Sequence, residues 1–321
     1  DITLREACGN TVRNITASPT SGIDPKELFD VSPHADAAFR YFLRNPICQE
    51  MGRKIKISFS NTSEDTSLAY LHDLGFVPVL QNGIRGFKVV VGGGLGAQPM
   101  LAHTAFEFLP ENEVIPFIEA VLRVFDRHGE RNSRHKARMK FLIQKIGFEA
   151  FMELVQAEKK ALKNHIVEIS DATAWEVETP ALRSSLTAPT SEAYQTWLAT
   201  NTFEQKQSGL HGAYVRILNG NISSTVSRSL IEALKGYIGD DIRITINQGL
   251  LLKCIPTANL PYVYHVLDTH GLAAPGANSI ANITACPGTD TCNLAISDST
   301  NITSKLEEVI STDFPDLIHE S

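Results

Sequence analysis

Cys286 and Cys292 are separated by five residues in the run Cys-Pro-Gly-Thr-Asp-Thr-Cys. Thiolates brought round such a Pro-Gly turn converge on one metal centre, an iron-sulfur cluster or a zinc ion, and a tetrahedral set needs four ligands. Cys8, Cys48 and Cys254 form no second close pair, so the sequence shows half of such a set. A second grouping is cationic. In Lys54-Ile55-Lys56-Ile57 the side chains of a strand alternate, placing two ammonium groups on one face and two isoleucines on the other, with Arg53 adjoining. If the isoleucines enter a core, the lysines face solvent or a polar cavity, and a cavity with two fixed cations suits a small oxyanion. A solvated strand face would carry the same pattern. Arg13, after the Gly9-Asn10 turn signal, offers a planar fork to a carboxylate or oxyanion, or serves in an ordinary surface ion pair.

Two further stretches bear on binding. Gly92-Gly93-Gly94-Leu95-Gly96 allows close backbone approach but lacks the Lys-Ser/Thr ending of a P-loop and the spacing of a dinucleotide fingerprint. It reads as a tight turn or as a loop beneath a large flat cofactor. Arg131 to Lys140 spreads basic residues all round a helix, either as a solvated face or as a contact for cofactor carboxylates or an acidic electron donor. His103, His211 and His265 belong to no metal-binding motif and read as packing or hydrogen-bonding residues.

These residues need elements to hold them. Alternation predicts strands over Lys54 to Phe59 and Phe87 to Val91. Asp24-Pro25 reads as a helix start, with helical spacing from Ala35 to Leu43. Three helices follow, over Asn112 to His128, Ser133 to Ile146 and Phe148 to Lys163; Pro116 lies in the first turn of the first, and Gly129 stops it. Asn164 to Pro189 is rich in Thr, Ser, Glu and Pro and reads as a surface linker. From Gly212 to Leu272 the order is strand (213–218), helix (226–237), strand (242–246), strand (250–255), helix (259–270). That is half of a ferredoxin-like α+β unit, and its exposed sheet edge calls for a partner.

The most informative pattern is internal. Val-Arg-Asn-Ile-Thr-Ala-Ser-Pro at 12–19 matches Ile-Ala-Asn-Ile-Thr-Ala-Cys-Pro at 280–287, at a constant offset of 268 residues (281 − 13 = 286 − 18). One copy carries Arg13 and Ser18 where the other carries Ala281 and Cys286, which predicts a duplicated scaffold with divided labour. The second copy then reads as cut short at Ser321, and symmetry asks for another ferredoxin-like half before Asp1.

Bulk properties set limits. The chain has 321 residues, enough for two or three domains, and 43% hydrophobic with 20% charged residues is an ordinary globular composition. A net charge of −7 provides no global field for nucleic acid, and no apolar run or signal-peptide pattern points to a membrane. Five cysteines, an odd number, favour thiols or metal ligation in a reducing, cytoplasmic setting over a disulfide framework. A first residue other than methionine reads as a processed or excised piece.

Taken in order, Gly9-Asn-Thr-Val-Arg-Asn14, Gly52-Arg-Lys-Ile-Lys56, Gly86-Phe87 with Val91-Gly-Gly-Gly94 and Cys286-x5-Cys292 resemble the sirohaem-containing nitrite and sulfite reductases. The resemblance implies an α+β fold, a duplicated sirohaem-binding scaffold with a ferredoxin-like half-domain. Its parts would be a first reductase domain over 1–165, a linker over 166–195, the half-domain over 196–275 and the start of a second reductase repeat over 276–321. By the same resemblance Arg13, Lys54 and Lys56 would surround the substrate anion and supply protons, and Asn14, Arg53, Gly92, Gly93 and Gly94 would lie near the macrocycle. Cys286 and Cys292 would be the first two ligands of a 4Fe-4S cluster. The other pair, a C-x3-C, is expected roughly 30 to 50 residues beyond Ser321, a spacing that the resemblance implies together with the need for four thiolates. The family's further arginine from the other half-domain is absent, and Asn247 stands at its equivalent here. The intact protein would reduce sulfite to sulfide, or nitrite to ammonia, with ferredoxin or a flavoprotein as donor, and this piece alone would be inactive. Nitrite-reducing members tend to have asparagine where Lys56 stands, which favours sulfite. A non-catalytic module that binds an anion or a redox partner, and a small zinc protein built on the two cysteines, are the competing readings.

Overall fold

A computed structural model describes residues 9–171, 180–182, 186–293 and 295–319. The chain divides into two compact units, Asp1–Trp175 and Glu176–Ser321. Cys8 lies outside the described residues.

The first unit is a five-stranded mixed sheet in sequential order, built from β1 (Val12–Ala17), β2 (Ile55–Phe59), β3 (Leu74–Gln81), β4 (Ile84–Val91) and β5 (His103–Pro110). β1, β2 and β3 run parallel, while β3–β4 and β4–β5 are antiparallel. The β3–β4 hairpin turns at Asn82-Gly83, both with positive φ (53° and 78°), the backbone that a two-residue turn requires when it follows the twist of its strands. Helices α1 (Ser32–Phe42), α2 (Val114–His128), α3 (Met139–Ile146) and α4 (Phe148–Ala161) complete the unit. From Val114 to Phe125 only Arg123 of α2 escapes burial, because other elements cover the helix nearly all round. Phe87 lies at the centre of an aromatic cluster, edge-on to Phe29, Phe59 and Phe76 with ring centroids 5.5, 5.7 and 5.9 Å away.

Three expectations change here. The Asp24-Pro25 signal starts no helix; Asp24 instead accepts from the Lys26 amide and the Thr20 hydroxyl, locking a turn, and α1 begins at Ser32. The helix expected over Ser133 to Ile146 begins only at Met139, since Arg134–Lys136 forms a short 3-10 turn and Arg138 is extended. The basic run therefore does not circle a helix. Its two last members, Arg138 and Lys140, point inward to partners of their own. Strands β3 and β5 were not expected.

The second unit contains α5 (Glu192–Asn201), β6 (Thr202–Glu204), β7 (Leu210–Val215), α6 (Ser224–Leu234), β8 (Ile242–Ile244), β9 (Leu250–Pro256), α7 (Leu260–Thr269) and α8 (Ser299–Asp313). Its antiparallel sheet has the order β6-β7-β9-β8, with α6 and α7 closing a core around Trp197, Leu252, Ile255, Val263 and Leu267. The strand-helix-strand-strand-helix order is the one read from sequence. His211 approaches the Thr257 hydroxyl at 3.4 Å and His103 stacks on Phe148, whereas His265 is exposed on α7. The repeat reaches beyond the eight matching residues: an offset of 268 carries α1 onto 300–310, inside α8.

Replacing Phe87 with Ala empties the centre of the aromatic cluster. Chemical denaturation is expected to show the first unit destabilised by about 3–5 kcal/mol.

Candidate functional site

The site in the first unit grows from the β1–β2 pairing. Asn14 pairs with Lys56 and Ile15 with Ile57, and the register slips between Val12 and Asn14, so Arg13 occupies an irregularity in an edge strand. Ile55 and Ile57 are fully buried while Lys54 and Lys56 are only partly so, which realises the expected alternation and turns the lysines away from the core. Arg53 reaches Asn10 Oδ1 at 3.4 Å, and Arg13 donates to the Gly9 carbonyl at 2.8 Å. The Nε atoms of Arg13, Arg53 and Arg138 are shut off from solvent without a hydrogen-bond partner. Asn14 is exposed.

These cations act on one another. Burial, reinforced by Arg13, Lys56, Arg53 and Arg138, pushes the Lys54 ammonium down to about 8. Burial and the charges of Arg134, Arg13 and Arg138 likewise lower Arg53. The carboxylate set against them is Asp73, fully buried. Its Oδ2 accepts from the Lys56 amide at 3.0 Å, and both oxygens accept from Arg138 Nη2 at 2.9 Å. Burial raises the Asp73 carboxyl above its ordinary range, opposed chiefly by Arg138.

The glycine loop closes on the same place. Gly92, Gly93 and Gly94 are buried, and Gly92 has a φ of 92°. A Cβ on Gly93 would stand 2.3 Å from the Tyr70 carbonyl oxygen, and one on Gly94 would stand 2.8 Å from both terminal nitrogens of Arg138. No side chain fits at either position. Buried Lys140 fastens the loop from below, donating to the carbonyls of Gly94, Leu95 and Gln98 at 3.1, 3.2 and 2.6 Å. The structure thus brings Arg13, Arg53, Lys54 and Lys56 together and binds Lys56 to the glycine loop through Asp73 and Arg138. Sequence reasoning missed Asp73 and the separate inward roles of Arg138 and Lys140. An acid directly before the β3 strand was the available signal.

Cys286 and Cys292 belong to the second unit, both exposed. The Ser299 hydroxyl, 3.3 Å from Sγ, and the Gly288 amide lower the Cys286 thiol, favouring the thiolate that a metal needs. Among the described residues no group of three His, Cys, Asp or Glu side chains converges as a metal site, so this turn offers two thiolates. In the first unit Cys48 is buried and its thiol is pushed up to about 12, chiefly by desolvation, so it is no ligand. Asn247, at the tip of the β8–β9 hairpin, donates to Asn278 at 2.9 Å.

With this geometry in view, similarity to known proteins gains meaning. Residues 8–163 match the nitrite and sulphite reductase 4Fe-4S domain, and residues 203–270 match the nitrite/sulfite reductase ferredoxin-like half domain. The chain belongs to the nitrite and sulfite reductase family. It is 28% identical over 296 residues to sulfite reductase (ferredoxin) 1 of Mycolicibacterium paratuberculosis, covering 92% of this chain and 49% of that one. To the ferredoxin–nitrite reductase of Synechococcus elongatus it is 29% identical over 297 residues, covering 89% and 53%. The solved structure of the Mycobacterium tuberculosis NirA protein superposes with a TM-score of 0.77 at 26% identity, over 97% of this chain and 53% of that one. The chain spans about half the length of these relatives.

Because the folded state disfavours the charged Lys54, the unfolded chain binds more protons between about pH 8 and 10.5; Lys54 therefore lowers stability below that window, and the penalty is relieved as pH rises through it. Lys54 is accordingly expected to be among the fastest lysines acylated by an amine-selective reagent near pH 8, read by peptide mass spectrometry. Arg13→Gln removes one repelling cation and is expected to slow that reaction; an unchanged rate would disprove the electrostatic coupling.

Proposed function

We propose that the chain is the anion-binding part of a sulfite reductase, carrying out with the remainder of the enzyme the six-electron reduction of sulfite to sulfide. The observation that carries this reading is the crowding of Arg13, Arg53, Lys54, Lys56 and Arg138 on one another, with Arg138 and the Lys56 amide bonded to buried Asp73, close enough that neighbouring cations help to push Lys54 down to about 8. Such a surface lowers its own free energy by taking up an oxyanion. Arg13 would orient the anion through its planar fork, and Lys56 would add a second fixed positive charge beside it. Lys54 would be the group able to give and regain a proton as oxygen leaves as water, since its affinity lies near working pH.

Two cofactors fit the residues present. The Arg138 guanidinium against a buried glycine loop, with Arg53 and Arg13 within reach of its charge, would suit a flat macrocycle bearing carboxylates, and Asn14, Arg53 and Gly92 to Gly94 would flank sirohaem. Cys286 and Cys292 would supply two of the four thiolates of a 4Fe-4S cluster. When bound, this pair of cofactors supplies the electrons and the ligand position for the anion, while the chain sets charge, orientation and proton supply. In this division residues 1–165 hold the anion, 196–275 form the half-domain and 276–321 begin the cysteine-bearing repeat. Ferredoxin is the electron donor favoured by the names of the relatives, with a flavoprotein as the other candidate. A cytoplasmic location accords with the free thiols, and no described helix is long and apolar enough to cross a membrane.

Nitrite is the second substrate to test, since one similar relative is a nitrite reductase. In the full-length enzyme Lys56→Asn is expected to move the ratio of kcat/KM for sulfite over nitrite toward nitrite by about tenfold, one lost charge contact. An unchanged ratio would refute the substrate assignment. Absence of a sirohaem absorption band in the full-length protein, expressed with cofactor supply, would instead favour an anion-binding module without turnover.

A further inference from the structure

The segment bearing Cys286 repeats the sequence of β1, yet its backbone is held in another way. In the first unit β1 is bonded along its length to β2, with Ile15 opposite Ile57 and Ala17 opposite Phe59. At the same offset, residues 280–287 belong to no strand. Three side chains grip them instead, at alternate residues. Arg216 Nη2 donates to the Ala281 carbonyl at 2.6 Å, the Ile283 amide donates to Glu307 Oε1 at 3.2 Å, and Gln248 takes both groups of Ala285. Its Oε1 accepts from the Ala285 amide at 3.0 Å, and its Nε2 donates to the Ala285 carbonyl at 2.7 Å. The contacts at 281, 283 and 285 recur at every second residue, the spacing at which one edge of a strand presents its backbone groups to a neighbour.

The gripping residues are themselves fixed. Arg216, on the segment leaving β7, and Glu307, in the middle of α8, are mostly buried and joined at 2.8 Å, so each oxygen of Glu307 has a separate donor. Arg216 also donates to the Pro275 carbonyl at 2.5 Å. Gln248 stands at the β8–β9 hairpin tip with a φ of 61°, and neighbouring Asn247 holds Asn278. The grip ends at Ala285, directly before Cys286, and the Ser299 hydroxyl, at the start of the same α8, donates to the Cys286 carbonyl at 2.9 Å.

We propose that Arg216, Glu307 and Gln248 are positioning residues that stand in for a neighbouring strand and set the backbone at Cys286 before any metal binds, so that the ferredoxin-like half-domain dictates where the first thiolate of the cluster points. This rests on the assignment of Cys286 as a cluster ligand, but the grip can be tested without it. Each member has its own job: Arg216 and Glu307 fix the middle of the segment, and Gln248 fixes the residue that enters the cysteine turn. A full chain folded without cluster therefore already protects the amides of Ile283 and Ala285.

Hydrogen exchange on the metal-free chain, resolved to single amides, is the primary test. Gln248→Ala is expected to speed exchange at Ala285, and Glu307→Ala at Ile283, each about fivefold to tenfold for one lost hydrogen bond, while β7 and β9 amides keep their rates and report an intact fold. Gln248→Glu, which keeps the acceptor and loses the donor, is expected to retain most of the Ala285 protection. Alkylation of Cys286 relative to Cys292 by iodoacetamide at fixed pH should rise in Gln248→Ala and stay near wild type in Gln248→Glu. In the reconstituted holoenzyme Gln248→Ala should also shift the midpoint potential of the cluster. Amides that exchange freely in the wild type, or that are indifferent to both alanine variants, would overturn the grip. If protection responds as expected but no cluster forms, the grip stands and the assignment of Cys286 to a cluster fails. Loss of β7 and β9 protection in Glu307→Ala would leave Gln248→Ala and Gln248→Glu, at a half-buried hairpin tip, to decide the matter.

Discussion

The structure of the first unit turns on one buried carboxylate. A surface that gathers Arg13, Arg53, Lys54, Lys56 and Arg138 resists its own assembly, because like charges in a partly desolvated place repel strongly. Asp73 makes the assembly possible without neutralising it. Its two oxygens are taken by one guanidinium and one backbone amide, so it is not spent on the lysine ammonium groups, and Arg13 keeps its own bond to the Gly9 carbonyl. Asp73 also receives the Gly92 amide on its main-chain carbonyl at 2.8 Å, so one residue ties the lysine strand, the glycine loop and the basic turn together. A carboxylate placed among the lysines would have satisfied the charges and removed the capacity to bind an anion. Placed behind them, it holds the geometry and leaves the field.

The glycine loop follows from the same arrangement. Arg138 must lie flat against Gly94 to reach Asp73, and Lys140 must lie under the loop to cap three carbonyls. A buried ammonium is costly unless several acceptors surround it, and here they are backbone oxygens, so no acid is introduced near the cationic surface. The run from Arg131 to Lys140 thus divides by position: its first part is exposed, and its last two cations are structural parts of the site.

What could be read from sequence was what local periodicity and repetition encode. The alternation at Lys54-Ile55-Lys56-Ile57 predicted both strand and facing, since burial of isoleucine and exclusion of lysine act within a few residues. The half-domain order was legible for the same reason. Strand β3 was missed although Asn82-Gly83, a strong hairpin signal, lies between it and β4; its apolar residues alternate poorly because both of its faces are covered. Asp24-Pro25 misled because a carboxylate that can cap a helix can equally lock a turn, and only the neighbouring Thr20 and Lys26 decide which. Asp73 was invisible for a different reason. Its partners lie seventeen residues before it and sixty-five after it, and no spacing rule reaches across such distances.

On the proposed roles of these residues, the two copies of the repeated segment would let one backbone serve two kinds of chemistry. In the first copy the extended strand is paired with β2, which carries the lysines, and Arg13 sits at the slip in register where a long side chain can leave the sheet. The described thiol of that unit, that of Cys48, is buried and pushed up to about 12, so it does not compete for a metal. In the second copy Ala281 replaces the arginine and Cys286 replaces Ser18, while side chains from the half-domain and α8 take over the backbone bonds. A thiolate needs small, polar, exposed surroundings to remain available, whereas an oxyanion needs crowded cations held by a buried acid. These demands conflict in a single pocket, because fixed cations beside free thiolates would bind them instead of substrate. Dividing them between two copies of one scaffold removes the conflict, and it explains why the copies diverge at the two positions where the chemistry differs while the Asn-Ile-Thr-Ala backbone between them is retained.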